Sequence, residues 1–292
     1  MIDGEKLRKK RVELGFSQTE LAAGITTQAT ISSLERNASV PSSDILMRIT
    51  TRLGMKPTEV ISGDSNVAIE QQLSEADRLS MNYQYEKLLE VLDDMENIAE
   101  PEQQAHYLFL KTNAQMWLTK NFDDAIFGYS RILQLPDTRM SIYSIVATCE
   151  LGVCYINKNN DLEKAGYYFD QVETMMVQTD LDEYPFWALF LYANLSKYYS
   201  SDKKDDKVFK ILDTAIKFAQ KHHTTYFLDQ YYYLYAAEIK NQAGKWTESA
   251  SLYLLQAYTF AKFNSDDVAL SKAEGYLKEI DIDVSKLFKQ DM

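Results

Sequence analysis

Ten glycines and five prolines are few for 292 residues. So low a share of helix breakers excludes a collagen-like or low-complexity chain and suits long helices. The only cysteines, Cys149 and Cys154, cannot build a disulfide framework, and their spacing fits neither a CxxC redox pair nor half of a zinc site. They are expected to be buried thiols. Histidine occurs three times, and no HExxH, Gly-x-Ser-x-Gly or glycine-rich phosphate loop is present. An enzyme is therefore not expected, nor a metal or other cofactor. The longest apolar run, PFWALFLYANL from Pro185 to Leu195, is far shorter than a membrane span. The start of the chain, MIDGEKLRKKRVELG, has no apolar stretch after its charges. A cytoplasmic protein without a membrane partner is the expectation.

The net charge of −12 is unevenly placed. Residues 1–63 hold nine Lys/Arg against seven acids, a net of +2, which leaves −14 for residues 64–292. That asymmetry predicts two domains with those boundaries, the first able to approach phosphates and the second not. Binding to a polyanion through so few basic groups, on an acidic body, should be steeply salt-sensitive.

In the first domain a helical pattern carries Leu7, Arg11 and Leu14 and stops at Gly15. Ser17 with Glu20 forms a capping box for a second short helix through Leu21 and Ala22. A tight turn at Gly24-Ile25 follows, and Thr26 or Thr27 can cap a third helix with Ile31 and Leu34 facing inward. Its outer face would carry Thr27, Gln28, Ala29, Thr30, Ser32 and Ser33. Small polar groups with almost no charge suit a surface pressed into a DNA groove, exchanging hydrogen bonds with base edges. Pro41 closes a linker, Ser42 or Ser43 caps a fourth helix (Ile45, Leu46, Ile49, Leu53), and Pro57 opens a short fifth one (Val60, Ile61).

LRKKRVELGFSQTELA, then ISSLERN, then VPSSDILMRITTRLG resemble the helix-turn-helix domain of the phage-repressor type, the XRE family, from Leu7 to about Ile61. The resemblance implies that Gln18 donates to a phosphate, that Gln28, Ala29 and Ser33 meet bases, with Gln28 bidentate to adenine, and that Arg36 and Asn37 touch the DNA backbone. It also implies a structural ion pair between Arg11 and Glu35. The segment from Ala22 to Ile31 is one residue shorter than in the phage repressors.

From Asn66 onward apolar residues recur at three and four, and the expectation is all helix. An apolar-x-x-x-apolar step opens the second helix of successive pairs: Leu88 with Leu92, Ala125 with Tyr129, Ala165 with Phe169, Val208 with Leu212, Ala250 with Leu254. The starts lie 37, 40, 43 and 42 residues apart. LGVCY followed by LEKAGYYF, with Leu151, Gly152, Tyr155, Ala165 and Phe169, resembles the tetratricopeptide pattern, stretched beyond its usual length of about 34 residues. Turns are expected at LTKNFDD, INKNNDLEK, SSDKKDDK and QAGKW. About five helix pairs and a last helix from Ser265 to Ile280 would make a right-handed solenoid with a concave face. Asp123-Asp124 and Asp205-Asp206 read as helix N-terminal charges and His222-His223 as a helix end. All twenty tyrosines lie at or beyond residue 83. Most should be core, with some left to line the concave face.

A phage-repressor head with degenerate tetratricopeptide repeats resembles the RNPP family of peptide-pheromone regulators, its PlcR-like members above all. The fold so implied is all-α: a five-helix head followed by the solenoid. The function implied is transcription regulation in quorum sensing, by a homodimer on a palindromic double-stranded DNA operator, controlled by a short signalling peptide. In the family's register Asn194, Lys197, Lys111, Tyr231, Tyr235 and Glu238 would line the peptide groove. The rival is a solenoid that serves only as dimer scaffold or protein-interaction adaptor.

Overall fold

Helices are the only regular elements among the described residues, apart from a 3-10 turn at Leu181–Glu183. The computed structural model describes residues 4–36, 41–56, 64–95, 98–136, 138 and 141–284. It divides into two compact units, Met1–Tyr107 and Leu108–Met292.

The first unit opens with α1 (Gly4–Glu13), α2 (Gln18–Ala22), α3 (Gln28–Glu35) and α4 (Ser43–Arg52). Each boundary has a local cause. Gly15, at φ +76°, supplies the left-handed residue that ends α1. The Ser17 hydroxyl accepts from the Glu20 amide while the Glu20 carboxylate accepts from the Ser17 amide, so the capping box forms in full. Thr27 caps α3 by accepting from the Thr30 amide. Ser42 is the N-cap of α4 but makes no side-chain cap bond. The four helices close over Leu7, Leu21, Ala22, Ile31, Leu34, Leu46, Ile49, Leu53 and Met55. The expected fifth helix, with Pro57, Val60 and Ile61, lies outside the described residues, as does Asn37. The unit continues with α5 (Asp64–Met81) and α6 (Tyr85–Asp93).

From α7 (Pro101–Thr119) the helices alternate as pairs: α8 (Phe122–Ile132), α9 (Ile142–Asn159), α10 (Leu162–Gln178), α11 (Pro185–Ser201), α12 (Asp205–Lys221), α13 (Leu228–Ala243), α14 (Glu248–Asn264) and a closing α15 (Asp267–Glu279). α9 packs with α10, α11 with α12 and α13 with α14, while α11 also touches α9 and α13. The ten repeat anchors are all buried, from Leu88 and Leu92 to Ala250 and Leu254. A residue at one fixed register of every pair has the same partner helix to face, which is why the pattern is visible in the sequence. The expected turns fall between α7 and α8, α9 and α10, α11 and α12, and α13 and α14. Asn121 and Asp161 cap two of the second helices by accepting from the amides of Asp124 and Lys164. Cys149 and Cys154 are buried and unbridged, and burial pushes both thiols up.

Close approach explains Gly152. A Cβ added there would stand 2.8 Å from the Phe169 ring, so α9 and α10 cross at a distance only glycine allows. Gly152→Val is expected to cost about 1 to 3 kcal/mol through overpacking, read as a lowered melting temperature. Adding Phe169→Leu should recover part of the loss, and an unchanged melt for Gly152→Val would refute the close crossing.

Candidate nucleic-acid interface and the polar repeat face

The turn between α2 and α3 is held from outside the motif. Arg52 Nη1 donates to the carbonyls of Ala23 (2.5 Å) and Leu21 (3.1 Å), and Arg48 Nη2 to that of Gly24 (2.7 Å). These contacts occupy carbonyls at the C-terminus of α2 and in the turn that follows it. Two of the nine cations in the head's charge total are thus engaged at the turn.

On α3, Ile31 and Leu34 are 1% exposed, so the opposite face is fixed outward. Thr27, Gln28 and Ala29 are exposed, and Thr30, Ser32 and Ser33 half-buried. No charged side chain interrupts this face. A chain of hydrogen bonds orders it: Arg11 holds Glu35 through Nε–Oε1 at 2.5 Å and Nη2–Oε2 at 2.9 Å, Gln18 Nε2 donates to Glu35 Oε2 at 2.9 Å, and Gln28 Nε2 donates to Gln18 Oε1 at 2.7 Å. Burial alone would raise the Glu35 carboxyl. Donation from Arg11 and Gln18 outweighs burial and leaves it below its ordinary value. A buried pair between α1 and α3 therefore sets the direction of two exposed glutamines on α2 and α3. Arg36, at the end of α3, folds back onto Ser32, donating to its carbonyl at 3.1 Å and its hydroxyl at 2.7 Å.

The residues expected on the repeat face separate into two groups. Asn194 and Lys197 share one face of α11: Asn194 is half-buried, with Nδ2 donating to the Phe190 carbonyl at 3.1 Å, and Lys197 is exposed, with Nζ donating to Gln230 Oε1 on α13 at 2.8 Å. Lys111 on α7 is half-buried. Tyr231 is 1% exposed and donates to the Leu189 carbonyl; Glu238 is 3% exposed and accepts from the Ser200 hydroxyl. These two pack between α11 and α13 and line no open surface, against expectation. In YYYLY the α11 contact takes Tyr231 inward, whereas Tyr235 stays half-buried with its hydroxyl 3.1 Å from Asp213.

Sequence reasoning missed two acids beside Lys197. Glu150 on α9 and Asp229 on α13 are 3% and 4% exposed, and Glu150 Oε2 and Asp229 Oδ2 have no hydrogen-bond partner. Burial raises the Glu150 carboxyl to about 7, against the opposing pull of Lys197 and the Tyr129 hydroxyl. Lys197 touches solvent but is hemmed in by protein, and the lost hydration lowers its pKa, while Glu150 and Asp229 pull it back up. The available signal was a single acid inside the apolar run Ile145 to Ile156.

Residues 7–60 match the family model described as Helix-turn-helix. A search of curated proteins returns no match. Among solved structures, the chain resembles PlcR from Bacillus thuringiensis in its apo form, with TM-score 0.63 and 17% identity over 93% of this chain and 98% of that one. It also resembles PlcR in complex with the peptide PapR7 and DNA, with TM-score 0.61 and 18% identity over 94% and 97%. The apo competence regulator ComR from Streptococcus vestibularis gives TM-score 0.56 and 14% identity over 96% and 98%. Residues 7–60 accordingly form a helix-turn-helix domain, and the chain as a whole shares the fold of PlcR and ComR.

Proposed function

We propose that this protein is a transcription regulator in which residues 1–63 bind a palindromic operator as a homodimer and residues 64–292 bind a short signalling peptide that controls that binding. The observation that carries the DNA half is the ordered, uncharged face of α3. Gln28, aimed by Gln18 and the buried Glu35, offers the amide geometry that pairs with an adenine edge. Thr27, Ala29, Thr30, Ser32 and Ser33 border it. Gln18 keeps a second amide hydrogen for a phosphate, and Arg36 reaches one by leaving Ser32; Asn37 follows it in the chain. A single helix-turn-helix covers too few base pairs to be selective, so two heads are expected on half-sites about one helical turn, or a multiple of it, apart. The peptide half is supported by likeness of fold to PlcR, solved with a peptide and DNA, and by the polar face of α11 with Asn194 and Lys197. Lys111 and Tyr235 remain candidates for the same ligand.

Selection of genomic DNA fragments by the purified protein, with and without a peptide extract of its host, tests both halves. A palindrome whose enrichment changes with the extract supports the proposal. One that ignores the extract reduces the repeats to dimer scaffold or adaptor, and no enrichment refutes operator binding. On a recovered operator, Gln28→Ala should weaken binding by about 1 to 3 kcal/mol and relax preference at one position, whereas Arg36→Ala should weaken all sequences alike. Full affinity and selectivity in both variants would refute the assignment.

A further inference from the structure

Along α11, Phe186, Phe190, Asn194 and Lys197 fall four, four and three residues apart, which places them in one stripe of the helix. α13 continues both ends of that stripe. The Phe227 ring lies 5.5 Å from Phe186 and 6.2 Å from Phe190, and Gln230 lies 2.8 Å from Lys197. The three phenylalanines are half-buried, and Tyr226 beside Phe186 is 44% exposed. An apolar patch and an ammonium thus stand on one surface, seven residues of helix apart. That is about 10 Å at 1.5 Å per residue, or about three residues of an extended chain.

The sign of the partner follows from what is reachable. Among the described residues Lys197 makes no ion pair, and Gln230 takes only one of its three N–H donors. The nearby acceptors that could hold a cation, Glu150 Oε2 and Asp229 Oδ2, are sealed from solvent. A cationic ligand group would meet the ammonium first and be repelled, whereas a carboxylate would meet donors. The buried acids behind Lys197 favour its charged form in a place where lost hydration opposes it.

On the reading that the repeats bind a peptide, we propose that its specificity is set by two points on the α11 and α13 face: Lys197 pairs with a carboxylate of the peptide, and Phe186, Phe190 and Phe227 seat an apolar side chain about three residues from it. Asn194, between the two points, holds the intervening backbone. The ligand class is a short peptide with an aromatic or large aliphatic residue at that distance from an Asp or a Glu.

The test uses the full chain and randomised synthetic hexapeptide pools with both termini blocked. Each pool fixes one Phe and one Asp at a defined separation, in both orders, and matched pools carry Asn or Lys in place of Asp. Retained peptides are quantified by mass spectrometry. The Asp pools with a separation of about three residues should be retained at least tenfold over the Asn and Lys pools. Lys197→Gln should abolish the preference, Lys197→Glu should reverse it toward Lys, and Phe190→Ala should remove the preference for Phe while keeping that for Asp. Native-like circular-dichroism spectra with a cooperative thermal transition would show that these variants fold. Equal retention of Asp, Asn and Lys pools, or a preference for Lys on the unaltered chain, would overturn this inference while peptide binding stands. Retention of no pool would overturn peptide binding and this inference together.

Discussion

Glu35→Ala is expected to lower the stability of the head by about 3 kcal/mol or more, because it strands Arg11 without its partner in a nearly closed site. The Glu35 and Arg11 side chains are 3% and 11% exposed, and the carboxylate receives three donors from two other helices. Calorimetric unfolding of the full chain should show the transition of the head moving down. Glu13→Ala, which removes a surface partner of Lys10 with 61% exposure, should change stability by at most about 0.5 kcal/mol. The loss at Glu35 should also reach DNA binding at temperatures where the variant is folded, because Gln18 and through it Gln28 lose their anchor. Arg11→Lys separates charge from geometry: it keeps the cation but loses the two-pronged contact, and should fall between the native chain and Glu35→Ala. Because the native Glu35 carboxyl titrates below its ordinary value, its contribution is complete above the unfolded pKa and fades as pH falls through the native one. Equal melts for Glu35→Ala and Glu13→Ala would refute the role of the buried pair.

Glu150→Gln is expected to make the protein more stable at pH 8 and to flatten its stability profile at lower pH. In the native state the Glu150 carboxyl keeps its proton up to about 7, whereas its ordinary value is 4.5. The folded chain therefore binds more protons than the unfolded one across that interval, and stability falls as pH rises through it. The full difference corresponds to at most about 3 to 4 kcal/mol, at about 1.4 kcal/mol per unit. Glutamine keeps the volume and removes the titration, so denaturation midpoints measured from pH 4.5 to 8 should lose this slope. The groups facing Glu150 are Tyr129 from α8, its helix neighbours Cys149 and Cys154, and Lys197 from α11. Of these Lys197 is the only cation, and Lys197→Gln should carry the slope on to higher pH. Parallel profiles for the native chain and Glu150→Gln would refute the buried, proton-holding carboxyl.

Much of the head was legible because its signals are local. A capping box needs two residues three apart, a left-handed helix stop selects glycine, and the inward pair Ile31 and Leu34 fixes which residues of α3 face out. The partners of Arg48 and Arg52 were not legible, since the carbonyls they hold lie 24 to 32 residues away in sequence. Along the repeats, anchors such as Ala125 and Tyr129 repeat a shared environment and stand out. Polar and aromatic residues on the first helices do not. Tyr231 and Tyr235 are one turn apart on α13, yet Tyr231 meets the α11 backbone and Tyr235 meets Asp213 on α12. Helical periodicity places both on a similar side but is silent about which neighbour covers it.

The sequence by itself determined the helices, their caps, the two-part charge division and the pairing of successive repeat helices, because capping, periodicity and net charge act over a turn or along one face. Only the tertiary structure decided which polar groups work together. The pair of Arg11 with Glu35 was already implied by the resemblance of the head, whereas Gln18 with Gln28, and Lys197 with Gln230, Glu150 and Asp229, come together from separate helices. Their environments depend on burial and distance in space, which set both hydration and Coulomb energy, and neither quantity is a property of chain position.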